Sequence, residues 1–298
     1  RLFLVQICPV FRHAAPALIA RTLTEGVSGK QGQWADSLSR AMAYSACVKA
    51  EHEMADLLCG QVLSFAGDPF ETGEAAARHL DQGAVLVDRG KVVAVGDASA
   101  LRAAHPQAKL HDYGRALISA GFIDAHVHYP QTAIIASWGK RLIDWLNLYT
   151  FPEEMRFADP AYADDIANRY LDLITARGTT TVCSYATIHP ASVDAIFTAA
   201  QARGMRLYAG KTCMDRNAPE GLRDTPQSAY DESKALLNKW HGVDRLSYVI
   251  TPRFSPTSTP EQLAALGALW AEYPDCLMQT HLSEQTDEID WVHALHPQ

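Results

Sequence analysis

Beyond residue 120 the chain alternates short apolar runs with longer stretches of mixed character, a pattern that predicts repeated strand–helix units. The strands are expected at Phe122–Val127, Thr180–Tyr185, Leu207–Thr212, Ser247–Thr251 and Cys276–Thr280. Helices are expected between them, at Tyr162–Arg177 with Gly178 as a stop, then Ser192–Arg203, Ala229–Trp240 and Pro260–Tyr273. Repeated βα units pack as a parallel sheet, either open or closed into a barrel. No glycine-rich fingerprint follows the first strand, which argues against a dinucleotide-binding fold.

Upstream the pattern is of another kind. Leu57–Phe65 and Ala84–Val95 are rich in Val, Leu and Phe, and 85–95 reads as a hairpin with Asp88-Arg89-Gly90 at its turn. Ala98–Ala104 is a short helix candidate, and Leu117–Ile118 leads into the next strand. These are expected to be short antiparallel strands rather than a βαβ unit. A small β domain over 54–118 is therefore expected ahead of a barrel-like domain over 119–298. Residues 1–53 resemble neither: they hold six Lys/Arg against four Asp/Glu, a net of +2 that leaves −10 for the remainder. Met54 reads as a natural start and 1–53 as a non-native upstream extension, the competing reading being a helix at Trp34–Lys49. The run Leu2–Phe11, broken by Gln6 and Pro9, makes a poor signal peptide.

Composition narrows the partners. Hydrophobic residues at 48% and charged residues at 20% are ordinary for a globular protein. A net charge of −8 without a basic run counts against nucleic acid as a partner. No apolar run has transmembrane length, which counts against a membrane partner. The six Cys include no C-x-x-C, so they are not a disulfide framework, and a reducing cytoplasm suits them. Each is expected as a small buried hydrophobe. Cys213 and its neighbour Met214 are read as packing.

The candidate chemistry begins at residues 121–128, Gly-Phe-Ile-Asp-Ala-His-Val-His. The apolar positions suit a buried strand. His126 and His128, two residues apart, then point to the same side of it. Two neutral imidazoles so placed are half of a zinc or iron site. With 12 His in the chain, the spacing needs its context. That context is a set of polar clusters at successive strand ends: His126/His128, Lys211, Arg253 and His281/Glu284. A (β/α)8 barrel keeps its chemistry at those ends. Asp124 is expected to orient the turn, and Lys211 has no assigned role. His189, His241, His293 and His296 are expected at surface or loop positions.

The 121–128 motif opening a barrel resembles the amidohydrolase superfamily, and more closely its guanine deaminase branch. The matching segments are His126-Val-His-Tyr-Pro-Gln131, Asp144-Trp-Leu-Asn-Leu-Tyr-Thr-Phe-Pro-Glu-Glu154, Gly210-Lys-Thr-Cys-Met-Asp215, Ile250-Thr-Pro-Arg-Phe-Ser-Pro256 and Gln279-Thr-His-Leu-Ser-Glu284. The resemblance spans roughly 56–298. It implies an α/β fold, the metal-dependent hydrolase (β/α)8 TIM-type barrel. Here the barrel is incomplete, with about five βα units, and is preceded by part of a small N-terminal β-sandwich domain. It implies zinc-dependent hydrolytic deamination of guanine to xanthine and ammonia, a step of purine catabolism.

The same resemblance implies the residue roles. His126, His128 and His281 would ligate one Zn2+ per subunit, with iron as the alternative ion. Glu284 would be the catalytic proton shuttle. Gln131 and Arg253 would hydrogen-bond the purine edges, with Phe254 beside them. The plainer alternatives are an Arg253 that only pairs with a loop carboxylate and a Gln131 without contact. A homodimer is implied for the full-length protein. The family's fourth ligand, an Asp after the eighth strand, and a further catalytic His after the sixth have no counterpart before Gln298. The chain is thus expected to be a truncated and inactive fragment. Other deaminases or chlorohydrolases of the superfamily, acting on a triazine, a pterin or another nucleobase, form the runner-up class. A non-catalytic fragment that binds metal weakly is the reading from outside enzymes. A nucleoside-deaminase fold is disfavoured because no P-C-x-x-C occurs.

Overall fold

A computed structural model describes residues 54–139 and 141–297, together with the backbone of 4–6. The expected extension at 1–53 and helix at Trp34–Lys49 therefore lie outside the described residues, apart from those three. The chain divides into two compact units, Arg1–Ala120 and Gly121–Gln298.

The first unit is a five-stranded sheet in the order β1-β5-β2-β3-β4. Its strands are β1 (Leu4–Gln6), β2 (Asp56–Phe65), β3 (Ala77–Asp88), β4 (Lys91–Asp97) and β5 (Lys109–Ser119), and α1 (Ala98–Ala104) lies between β4 and β5. The expected hairpin is present as β3 and β4. Its two turn residues, Arg89 (φ 49°) and Gly90 (φ 72°), both sit in the left-handed region, as a tight turn matched to strand twist demands. The expectation of purely antiparallel pairing is corrected. β2–β3 and β3–β4 are antiparallel, but β5 runs parallel to β2. A parallel neighbour needs a crossover, and α1 supplies it. Most of β5 escaped the sequence reading because Lys109–Arg115 is largely polar and exposed. Alternate residues of β2 serve opposite faces. Leu57 and Cys59 bury with Ala84 and Leu86 against Leu101 of α1. Leu58 and Val62 bury with Val85 and Ile118.

The second unit runs β6 (Phe122–His128), α2 (Pro160–Thr175), β7 (Thr179–Tyr185), α3 (Pro190–Ala202), β8 (Arg206–Gly210), β9 (Thr212–Cys213), α4 (Pro226–Trp240), β10 (Leu246–Pro252), α5 (Pro260–Glu272), β11 (Leu277–Met278) and α6 (Thr286–Leu295). The main sheet order is β11-β10-β8-β7-β6, with every pair parallel and β9 beside β10. Each βα unit therefore sets its strand next to the one before, the sequential order of a barrel wall. Three helices begin earlier than expected. Asp159 and Thr225 cap α2 and α4 with their side chains, and a proline follows each at the first helical position. Proline there lacks only a donor that the helix would not use. His189 precedes Pro190 of α3 in the same way, without a side-chain cap.

The core of this unit lies between helices and sheet. Ile166 and Leu171 of α2, Ile196 and Phe197 of α3, and Leu236 and Trp240 of α4 pack on Val182, Leu207, Ala209 and Ile250. Two helical segments were not anticipated, α6 and the run 142–158. The latter has a π-helical turn, Leu146–Thr150, between two short α-helical pieces. The expectation of a buried β6 is also corrected. Phe122 is 52% exposed and Ile123 73%, because β6 is an edge strand of this sheet among the described residues.

Candidate active site

The end of β6 is bent before it delivers its imidazoles. Relative to β7, one extra residue lies between Asp124 and Val127, a bulge of the kind that re-aims side chains. Asp124 Oδ1 accepts the backbone N–H of His126 at 3.2 Å, the turn-orienting role expected of it. The rings of His126 and His128 sit 5.5 Å apart. His281 comes from the segment after β11, at the opposite edge of the sheet. It is fixed twice by one carbonyl: its backbone N–H and its Nδ1 donate to Arg253 O at 3.0 and 2.8 Å. That tautomer leaves Nε2 as the free lone pair, the arrangement found in histidine metal ligands.

The sheet curves enough to bring its two edges together at this end. His128 Nε2 lies 3.0 Å from His281 Nε2. One donor atom from each of His126, His128 and His281 falls within 4.8 Å of the others. Tyr185, at the end of β7, stacks on His128 at 4.4 Å and lies 4.6 Å from the His281 ring. Burial holds the His128 imidazole well below its usual range and pushes His281 down to about 4. Both are therefore neutral at physiological pH, as a metal requires of its imidazole ligands. Among the described residues the cluster contains these three imidazoles and no carboxylate. The donor set fits zinc: nitrogen ligands, one with its far nitrogen hydrogen-bonded.

All seven residues expected at the site line one open cleft of about 130 Å³: His126, His128, Gln131, Arg253, Phe254, His281 and Glu284. Leu142, Trp145 and Leu146 from the unanticipated helical run complete its wall. Glu284 is exposed, but its loop is held. Glu288 of α6, only 2% exposed, accepts the backbone N–H groups of Ser283 at 3.1 Å and Glu284 at 2.7 Å.

Arg253 lines the cleft and is also ion-paired. Its Nη1 donates to both oxygens of Glu154, at 3.0 and 2.8 Å, with both residues buried. Gln131 also acts on the same carboxylate and favours its charged form. Burial pushes the Glu154 carboxyl up, while Arg253 and Gln131 pull it back. Sequence reasoning missed Glu154 as part of the site. Its signal was a carboxylate pair placed directly after Phe151-Pro152. Its neighbour Glu153 turns to Arg156 and the hydroxyl of Tyr162 instead.

Lys211 does not join the others. It is fully buried, its ammonium on Asp224 at 2.5 Å and Glu232 at 3.3 Å, and it does not line the cleft. Of the four polar strand-end clusters, three converge and this one closes on α4 and the loop before it. Cys213 and Met214 are buried as packing, and burial raises the Cys213 thiol to about 11. Cys59, Cys183, Cys213 and Cys276 are all free thiols. His293 and His296 are exposed, and His189 and His241 are half-buried in the loops at a helix start and a helix end.

Comparison with known proteins adds to this geometry. The model of the amidohydrolase family matches residues 117–298, and that of an imidazolonepropionase-like composite domain of bacteria matches 83–108. The guanine deaminase of Escherichia coli (strain K12) is 45% identical over 224 residues, 75% of this chain and 51% of that protein. The solved E. coli guanine deaminase superposes with a TM-score of 0.78 at 42% identity, covering 81% of this chain and 57% of that one. The guanine deaminase of C. acetobutylicum with guanine bound in its active site gives 0.74 at 29% identity, covering 81% and 56%. The chain thus spans about half the length of the curated relatives it matches. Its parallel sheet with outer helices is part of the TIM-type barrel of that family.

Proposed function

This chain belongs to the amidohydrolase family, and from that premise we propose that its cleft is the site of a zinc-dependent guanine deaminase. The reaction is hydrolysis of the exocyclic C2–N bond of guanine, giving xanthine and ammonia. The observation that carries this reading is the convergence of His126, His128 and His281 in one cleft with Glu284, Gln131 and Arg253. The similarity to guanine deaminases supports the choice of substrate.

His126, His128 and His281 would hold the zinc, which would supply the Lewis acidity that makes water reactive at neutral pH. The chain's residues do the rest. Gln131 and Arg253 donate to the acceptors of the purine edge and set the ring across the cleft, with Phe254 against it. Glu284 takes a proton from the attacking water and passes it to a ring nitrogen, so that C2 becomes tetrahedral; the remaining hydroxyl proton then moves to the amino nitrogen, the C–N bond breaks, and ammonia leaves as the C2 carbonyl forms. The wall of Leu142, Trp145 and Leu146 limits access of bulk water.

The chain spans about half the length of its curated relatives, and we assign turnover to the complete protein. We place that complete protein in the cytoplasm, as a homodimer acting on a small molecule in purine catabolism. No helix among the described residues is long and apolar enough to cross a membrane. The test is a substrate profile of the zinc-loaded complete enzyme with guanine, adenine, a pterin and an aminotriazine. Guanine is expected to be preferred, with xanthine and ammonia formed one for one. Faster turnover of any other ring overturns the assignment.

A further inference from the structure

Glu154 has no part in the chemistry above, yet it is fully buried at the back of the cleft. Both oxygens take Nη1 of Arg253, and Gln131 acts on the same carboxyl, favouring its charged form. These are the two residues assigned to the purine edges. Among the described residues, the guanidinium's hydrogen bonds are both made through Nη1, and the group also lies 5.5 Å from the Phe151 ring. A buried carboxylate is costly unless paired and hydrogen-bonded. Here it is both, and its partner comes from another part of the fold, 99 positions away. The pair therefore does two things to the pocket. It holds Arg253 in a fixed orientation before a ligand arrives. It also cancels the guanidinium's charge in a low-dielectric wall, where an unbalanced cation would act strongly on any ionised ligand.

We propose that Glu154 is a positioning and charge-balancing residue: by neutralising Arg253 it makes the pocket select a neutral purine ring over an anionic one. The proposal rests on the reading of the cleft as a purine site. Its chemical consequence concerns the product. Xanthine is a stronger acid than guanine and ionises near neutral pH. With its guanidinium already paired to Glu154, that wall of the pocket gives the anion less attraction, which favours its release.

The test is direct binding to the zinc-loaded complete protein at one neutral pH, by calorimetry, with hypoxanthine as the neutral ring and urate as the monoanion. The parent chain is expected to bind hypoxanthine and to discriminate against urate. Glu154→Gln keeps the size and removes the charge. It is expected to shift the urate-to-hypoxanthine affinity ratio toward urate by roughly tenfold or more, at unchanged zinc content. Arg253→Gln, which leaves Glu154 unpaired, is expected to shift the ratio the other way, and it serves if Glu154→Gln does not fold. Equal losses for both rings in whichever variant folds overturn the charge-balancing role while leaving the purine reading intact. A parent chain that binds neither ring overturns the purine reading and this inference with it.

Discussion

Each polar side chain in the cleft has one task that its surroundings permit. Glu284 is exposed and carries only its own backbone restraint, so its carboxylate is free to move a proton. Glu284→Gln in the complete enzyme is expected to keep zinc near the parent level and to lose at least about 100-fold in turnover, the scale of general acid–base catalysis. Near-normal turnover in zinc-replete protein removes Glu284 from that role. Arg253 is different because its loss has two consequences. Transition-state stabilisation for guanine should fall by about 1–3 kcal/mol as an acceptor on the base loses its donor. Arg253→Ala also strands the fully buried Glu154 carboxylate, which costs about 3–5 kcal/mol of stability. Urea unfolding should show that loss for the single variant, and most of it recovered in Glu154→Met/Arg253→Met, where neither charge remains. A single variant as stable as the parent would show that the pair is not buried in solution.

Between residues and the whole molecule, the elements hold the geometry. β8 and β10 approach so closely at Gly210 that a Cβ there would lie 1.7 Å from the carbonyl oxygen of Val249. Glycine is thus required where the matching segment 210–215 begins. At the other side of the cleft, α6 fixes the loop that carries Glu284 through Glu288, and Ser283 is held in the left-handed region at φ 56°. Two backbone donors depend on that carboxylate, and a hydrogen bond to a charged group contributes about 1.5–3 kcal/mol. Glu288→Ala is therefore expected to lower kcat severalfold or more with zinc content unchanged, and to speed hydrogen exchange at Ser283 and Glu284. Unaltered exchange at those two amides would mean that the loop holds its shape without α6.

For the molecule as a whole, the placement of the imidazoles makes the metal a tie across the sheet. His126 and His128 stand on one edge strand and His281 follows the other. Zinc should therefore stabilise the second unit, by about 2.7 kcal/mol at a hundredfold excess over its Kd. A chelator should lower the thermal midpoint, and a midpoint that ignores both zinc and chelator would argue against a site spanning the two edges. The edges themselves carry uncovered apolar side chains, with Ile123 73% and Leu277 54% exposed. Open, apolar strand edges invite association. The 298-residue chain alone is expected to bind a hydrophobic dye and to show no measurable conversion of guanine. A monomeric, zinc-loaded preparation of it that forms xanthine would overturn that expectation.

What the sequence determined by itself is what depends on near neighbours. The alternation of apolar runs placed the four main helices and the strands they separate. The glycine-containing turn at Arg89-Gly90 marked the hairpin, and the spacing of His126 and His128 put two imidazoles on one side of a strand. All of these rest on backbone periods and turn chemistry that a short window contains. Tertiary structure decided what depends on distant partners. His128 meets His281 across 153 positions, and Arg253 meets Glu154 across 99. Lys211 looked like its strand-end neighbours in sequence, yet it turned to Asp224 and Glu232 instead of the cleft. The parallel place of β5 depended on a crossover, and the exposure of β6 on its lying at an edge. Periodicity reports which face of an element is apolar. Which element that face meets, and which buried charge finds which partner, follows only from the sheet's order and curvature, because burial and pairing are properties of the assembled neighbourhood rather than of the segment.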